Sequence, residues 1–327
     1  MSDLSSDAKP IADLSVTAKS GSAQSTDALS LSELSDRDRV WDKHKANSDR
    51  VSDHYAKSQY QRFSERINIC SDLLDFRLVP ESDQGVYQLK LAAARFCRVR
   101  HCPVCQWRRS LMWKAKAYQA LPKVVADFPK CRWLFLTLTL KNCPINELRS
   151  TLDWVNKSFV RLTKLKDFPA IGWIKSVEVT RGKDGNAHPH IHALLMVKPS
   201  YFGAGYLSQE RWENLWQQSL RVDYKPICHV RAIAKQHSPT VIVPEILKYQ
   251  CKESDLVANR EWFLELTRQL HKTRAVSVGG VLRGYMKALE QEPEDLIGED
   301  EQGETVDEGH LYFGWKRKDR KYKLVDV

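Results

Sequence analysis

The segment that most constrains the fold is His188-Pro189-His190-Ile191-His192, which runs without a break into Ala193-Leu194-Leu195-Met196-Val197. Alternate side chains of a strand share a face, so His188, His190 and His192 project one way while Ile191 and Ala193 enter a core. Imidazoles about 7 Å apart along one face can close on a divalent ion, for which neutral imidazole is the commonest protein ligand. Just upstream, residues 171–180 alternate in the same way, with Ile174, Ser176, Glu178 and Thr180 on one side and Trp173, Lys175, Val177 and Val179 on the other. The intervening Arg181-Gly182-Lys183-Asp184-Gly185-Asn186-Ala187 is a turn sequence, which predicts an antiparallel hairpin. Glu178 is then the carboxylate that faces the histidines. Carboxylate oxygen mixed with imidazole nitrogen suits Mg2+ or Mn2+.

Trp133-Leu134-Phe135-Leu136-Thr137-Leu138-Thr139-Leu140 has the length and β-rich composition of a central strand. Helices are expected over residues 106–121, ended by Pro122 and Pro129, over 145–165, and from Ser208. The 145–165 helix carries Leu148, Leu152, Val155, Phe159 and Leu162 at steps of three and four, so it must cover one face of a sheet. A further strand is expected over 227–233. Pro244 opens another helix, in which Glu245 and Tyr249, four apart, share a face. Phenol is a poor nucleophile until something favours its anion; basic surroundings and a metal that polarises a phosphate both do so.

Cysteine supplies a second constellation. Cys97-x4-Cys102-x2-Cys105 follows a hairpin expected from the alternation of Leu74, Phe76 and Leu78 and of Tyr87, Leu89 and Leu91, and Cys70 precedes it. Closing that hairpin returns Cys70 to the others, and four thiolates in a tetrahedral site call for structural Zn2+. His101 could take the place of one cysteine. Arg98, Arg100, Arg108 and Arg109, with Arg95, crowd the same unit and predict a cationic surface for DNA.

The net charge of +10 is unevenly spread. Residues 1–40 hold 4 basic and 7 acidic side chains, residues 292–308 hold 9 acidic and none basic, and residues 41–291 carry a net +18. A field of that sign attracts a polyanion, and nucleic acid is the leading partner. Ser, Ala and Asp dominate the first 40 residues, which lack aromatics and are expected to be disordered, while 41–67 are expected to form one loosely packed helix. The organisation expected is a tail over 1–55, a zinc-binding, DNA-contacting module over 56–127, a catalytic domain over 128–290, an acidic linker over 291–309 and a basic tail over 310–327. No long apolar run and no signal-peptide pattern follows Met1, so a soluble, cytoplasmic protein without a membrane partner is expected.

Together, Leu136-Thr137-Leu138-Thr139, the His190-Ile191-His192 pair and Glu245-x3-Tyr249 resemble, in order, the three motifs of the HUH endonucleases. The resemblance runs from Cys70 to Leu289 and is nearest the rolling-circle plasmid replication initiators with a single catalytic tyrosine, whose cysteine segment the Cys70–Cys105 region is similar to. It implies an α+β fold: a central antiparallel sheet, an RRM-like palm with the histidine strand at its middle and helices on its outer face, plus the N-terminal four-Cys module. It implies that His190 and His192, with Glu178 or His188 as third ligand, hold one catalytic divalent ion. It also implies that Tyr249 attacks single-stranded origin DNA of a plasmid, leaving a 5′-phosphotyrosyl link and a 3′-OH primer. Glu245 would then activate water at termination, and Lys248 and Lys252 would contact DNA. No Gly-x4-Gly-Lys-Ser/Thr pattern occurs, so unwinding falls to a host helicase and synthesis to the host replisome. Two other readings of the same residues are a non-catalytic zinc-dependent DNA-binding regulator and a relaxase- or transposase-type HUH nuclease. The first forms no covalent adduct with DNA, and the second does not share this cysteine segment.

Overall fold

A computed structural model of the chain describes residues 29–82, 86–290, 296–297 and 309–326. The tail expected before residue 29 and most of the acidic linker lie outside the described residues. Nine strands are found among the described residues: β1 (Leu73–Ser82), β2 (Val86–Ala94), β3 (Arg132–Thr139), β4 (Ala170–Arg181), β5 (Ala187–Val197), β6 (Cys228–Ala232), β7 (Val276–Gly280), β8 (His310–Lys316) and β9 (Lys321–Val325). They form two sheets, ordered β2-β1-β8-β9 and β6-β3-β5-β4-β7, in two compact units that divide between Cys105 and Gln106. No helix among the described residues is long and apolar enough to cross a membrane.

The first unit joins residues up to Cys105 with those from Ile297 onward. The β1–β2 hairpin has the expected register, with Phe76 opposite Leu91 and Leu78 opposite Leu89. Helices α1 (Leu31–Leu34), α2 (Val40–Tyr55) and α3 (Gln61–Asn68) replace the expected tail and single loose helix. The buried stripe of α2 is Trp41, His44, Lys45, Ser48, Val51, Ser52 and Tyr55, a helical repeat whose polar members hide it from hydropathy. Those polar groups are hydrogen-bonded, as burial requires: Lys45 Nζ donates to the Cys70 carbonyl at 2.6 Å and Ser52 Oγ to the Ser64 carbonyl at 3.0 Å. The expected basic tail is likewise two strands. β8 pairs with β1 and β9 with β8, because Phe313 and Tyr322 are buried between polar neighbours at strand period. The Tyr322 hydroxyl donates to the Ser71 carbonyl at 2.5 Å, and Trp315 Nε1 to Asp49 at 2.9 Å.

The second unit, residues 106–296, is built on an all-antiparallel sheet with β5 at its centre. α4 (Pro103–Asp127) runs past Pro122, which lacks the N–H that would bond to the Tyr118 carbonyl; burial of Leu121 and Val124 on either side holds the helix through it. α5 (Leu148–Leu162) and α6 (Gln209–Leu220) pack together over one face of the sheet, and the Ser208 hydroxyl caps α6 by accepting the Arg211 N–H. A second core lies on the other face. There Trp113, Ala117, Leu121 and Val124 of α4 enclose Leu194, Met196, Ile174, Val276 and Val278, along with α7 (Val243–Ile246). α8 (Glu253–Ala258), α9 (Arg260–Gln269) and α10 (Leu282–Met286) complete the unit.

Candidate metal centre

The register of three strands assembles the site. His190 lies opposite Thr139 on β3 and Glu178 on β4, while His192 lies opposite Thr137 and Ser176. Both imidazoles therefore share one sheet face with a carboxylate on the neighbouring strand; Glu178 and His192 are buried there and His190 partly so. Glu178 Oε2 is 3.0 Å from His190 Nε2 and 3.1 Å from His192 Nε2. Lys248 Nζ approaches the same oxygen at 2.8 Å. Burial works against the Glu178 anion, but hydrogen bonds from His190, His192 and Lys248 outweigh it and hold the carboxyl well below its usual range. Three ligand atoms, one each from Glu178, His190 and His192, can hold a metal ion. Cis ligands of an octahedral ion at about 2.1 Å stand about 3 Å apart, the spacing that Glu178 Oε2 already has from each imidazole, and all three ligand atoms lie within 4.8 Å of one another.

His188 is outside that group, so of the two candidates for a third ligand the geometry favours Glu178. The backbone carbonyl of His188 lies 3.3 Å from His190 Nδ1 instead, and burial and the neighbouring His190 depress the pKa of its own ring. The outer nitrogen of His192 meets Thr137 Oγ1 at 3.2 Å, which turns its Nε2 toward Glu178. Phe135 stacks on the same ring, with centroids 5.7 Å apart and planes 5° from parallel, and Arg231 lies over Phe135. Phe135 was not among the residues singled out from sequence. Its signal was its place two residues before Thr137, on the same strand face.

The helix expected to carry both Glu245 and Tyr249 stops at Ile246, and Leu247 leaves helical geometry. Glu245 is exposed on α7 and Tyr249, half-buried, lies beyond it. Strand capture ends the helix: the Val179 N–H donates to the Gln250 carbonyl at 2.8 Å and Val179 bridges Cys251 in parallel. The backbone of Tyr249 thus runs alongside β4 next to Glu178, between Lys248, which touches Glu178, and Gln250, which is tied to Val179. Burial and the Glu253 carboxylate raise the phenol pKa above its usual value, the reverse of the shift a basic site would give.

In the first unit the four cysteines are buried together. Sulfur–sulfur distances are 3.6 Å for Cys70–Cys105, 3.6 Å for Cys97–Cys105 and 3.7 Å for Cys70–Cys102. Thiolates about 2.3 Å from a tetrahedral zinc ion stand about 3.8 Å apart, so the quartet fits that ion. Amides of Cys97 and Val99 lie 3.4 Å from the sulfurs of Cys70 and Cys97. Burial disfavours the Cys102 thiolate, yet hydrogen bonds from Cys105, Cys70, Cys97 and Ser48 pull its pKa well below that of an ordinary thiol. His101 is buried outside the quartet.

The cationic residues expected to meet DNA divide. Arg98 and Lys252 are exposed and Arg100 is partly so. Arg108 and Arg109 are buried on α4, and Arg108 Nε donates to the Leu296 carbonyl at 2.6 Å, so neither offers DNA a free guanidinium at the surface. They lie in a run, residues 101–110, in which only Trp107 is not buried. Lys248 is committed to Glu178.

A family model described as "Replication protein" matches residues 88–323. "Protein rep" of Streptococcus pneumoniae serotype 2 is 36% identical over 266 residues, covering 78% of this chain and 81% of that protein. "Protein rep" of Lactiplantibacillus plantarum is 35% identical over 270 residues, covering 78% and 83%. "Protein rep" of Bacillus amyloliquefaciens is 30% identical over 306 residues, covering 83% and 89%. No solved structure matches.

Proposed function

Because the chain belongs to the Rep family of plasmid replication initiators, we propose that it starts rolling-circle replication by nicking single-stranded origin DNA with Tyr249. The observation that carries this reading is the meeting of Glu178, His190 and His192 on one sheet face, with the backbone of Tyr249 held against the same strand. A divalent ion bound there, Mg2+ or Mn2+ by its mixed oxygen and imidazole donors, supplies charge neutralisation at the scissile phosphate. Thr137 and Phe135 keep the His192 ring turned to the site. Tyr249 Oη forms a bond to phosphorus as the bond from phosphorus to the 3′ oxygen breaks, leaving a 5′-phosphotyrosyl link and a 3′-OH that primes synthesis. Since burial and Glu253 oppose the phenolate, cationic charge at the site is what the reaction must draw on. Glu245, exposed and four residues away, takes the proton from water at termination as the water oxygen bonds to phosphorus and the tyrosine leaves, so no second tyrosine is needed. The quartet of Cys70, Cys97, Cys102 and Cys105 holds structural Zn2+, and Arg98, Arg100 and Lys252 contact DNA. Its working place is the cytoplasm, beside a host helicase and replisome.

The test is incubation of the full chain with Mn2+ and a single-stranded oligonucleotide from its plasmid's origin, read on a denaturing gel. A covalent adduct that Tyr249→Phe abolishes is the expected result. Intact DNA binding with no adduct would instead leave a zinc-dependent regulator.

A further inference from the structure

Across β4 from the metal centre, on the face covered by α5, lies a cavity of about 340 Å3 walled by Arg149, Asp153, Asn156, Lys175, Lys272 and Arg274. Four cationic side chains meet there against one carboxylate, and Asp153 already lies 3.9 Å from Arg149. Lys175 is the unusual member. It is 6% exposed, donates to Asn156 Oδ1 at 2.5 Å and sits 5.0 Å from the centre of the Phe159 ring. Both contacts are neutral, and among the described residues no carboxylate pairs with it. An ammonium withdrawn from water without a counter-charge is costly, and a bound anion removes that cost. Burial alone brings its pKa down to about 8.

The rim is built to present charge. Arg149 donates to the backbone carbonyls of Gln269 and His271, which pins the loop, and Lys272 follows in a left-handed conformation at φ 55°. Lys272 and Arg274 are exposed at the mouth, so the cations run from the surface inward to Lys175. Guanidinium and ammonium groups, two of each at this cavity, are the donors that recognise phosphate oxygens. Gln250, whose carbonyl takes the Val179 N–H, also lines the cavity and adjoins Tyr249 in sequence.

We propose that this cavity is a second anion site, which takes a phosphoryl group from the side of the sheet opposite the metal centre. The group belongs either to a nucleotide or to a DNA backbone phosphate. The site stands on the cavity and its cations alone and is independent of the nicking chemistry.

Titration of the full chain with inorganic phosphate, followed by 31P NMR and calorimetry in phosphate-free buffer, tests it. Saturable binding is expected, weakened at least about tenfold by Lys272→Ala combined with Arg274→Ala, both at exposed positions, and lost in Lys175→Met. Circular dichroism checks that the variants remain folded. Displacement of phosphate by thymidine 5′-monophosphate identifies a nucleotide site, and displacement by an oligonucleotide without terminal phosphate identifies a DNA backbone site. Displacement by neither, with phosphate bound, assigns the cavity to the free anion. No saturable binding, or binding that the double substitution leaves unchanged, overturns the proposal.

Discussion

Replacing Lys175 by Met tests the physics of that cavity through stability alone. Burial shifts the lysine from 10.5 to about 8, a difference worth about 3 kcal/mol at roughly 1.4 kcal/mol per unit. Between those two values the unfolded chain binds more protons than the folded one, so the stability of the native protein rises with pH over that window. The penalty is fully present below pH 8 and gone above the unfolded value. Met keeps the aliphatic volume against Phe159 but gives up the hydrogen bond to Asn156, about 1 kcal/mol, and the cation–π contact, also about 1 kcal/mol. At pH 7 the variant is therefore expected to be more stable by about 1 kcal/mol, and by pH 10.5, where the folded lysine is neutral and has only the hydrogen bond to lose, less stable by about 1 kcal/mol. Urea unfolding followed by tryptophan fluorescence in phosphate-free buffer at both pH values reads this swing. A difference that stays constant with pH would refute the argument, because it would mean that the ammonium carries no burial penalty.

Four further outcomes are expected. Cys105→Ser should lower zinc content and open residues 70–105 to limited proteolysis, since closing such a site contributes on the order of ten kcal/mol to folding; full zinc occupancy in the variant would remove Cys105 from the ligand set. Thr137→Val should weaken Mn2+ binding by about tenfold through loss of the group that orients His192, measured by calorimetry. Lys248→Met should tighten Mn2+ binding several-fold by removing a positive charge 2.8 Å from Glu178 Oε2, whereas weaker binding would mean that the lysine serves to hold the carboxylate in place. Glu245→Ala should leave the first nick intact and slow release of the finished product; loss of cleavage itself would contradict its assignment to termination.

Much of the site was legible in the chain because strand period is two and cysteine spacing is local. The alternation of Glu178 in one strand and of His190 and His192 in the next, joined by a seven-residue turn sequence, already placed the three on one face, and β4 and β5 pair in that register. Cys97, Cys102 and Cys105 lie close in sequence, and the β1–β2 hairpin had only to bring back Cys70. The family followed from the same motifs.

Other features depended on partners distant in sequence. Glu178, and not His188, stands within reach of both His190 and His192 because the neighbouring strand brings it there. The helix holding Glu245 ends before Tyr249 because Gln250 and Cys251 are captured by Val179, some seventy residues earlier. The stripe of α2 reads as polar until Lys45 and Ser52 find acceptors elsewhere in the first unit, and β8 and β9 read as a charged tail until β1 offers an edge. Local periodicity determines which face a side chain takes. Only the folded chain determines what that face meets, because hydrogen-bond partners and buried charge belong to pairs of segments and to neither alone.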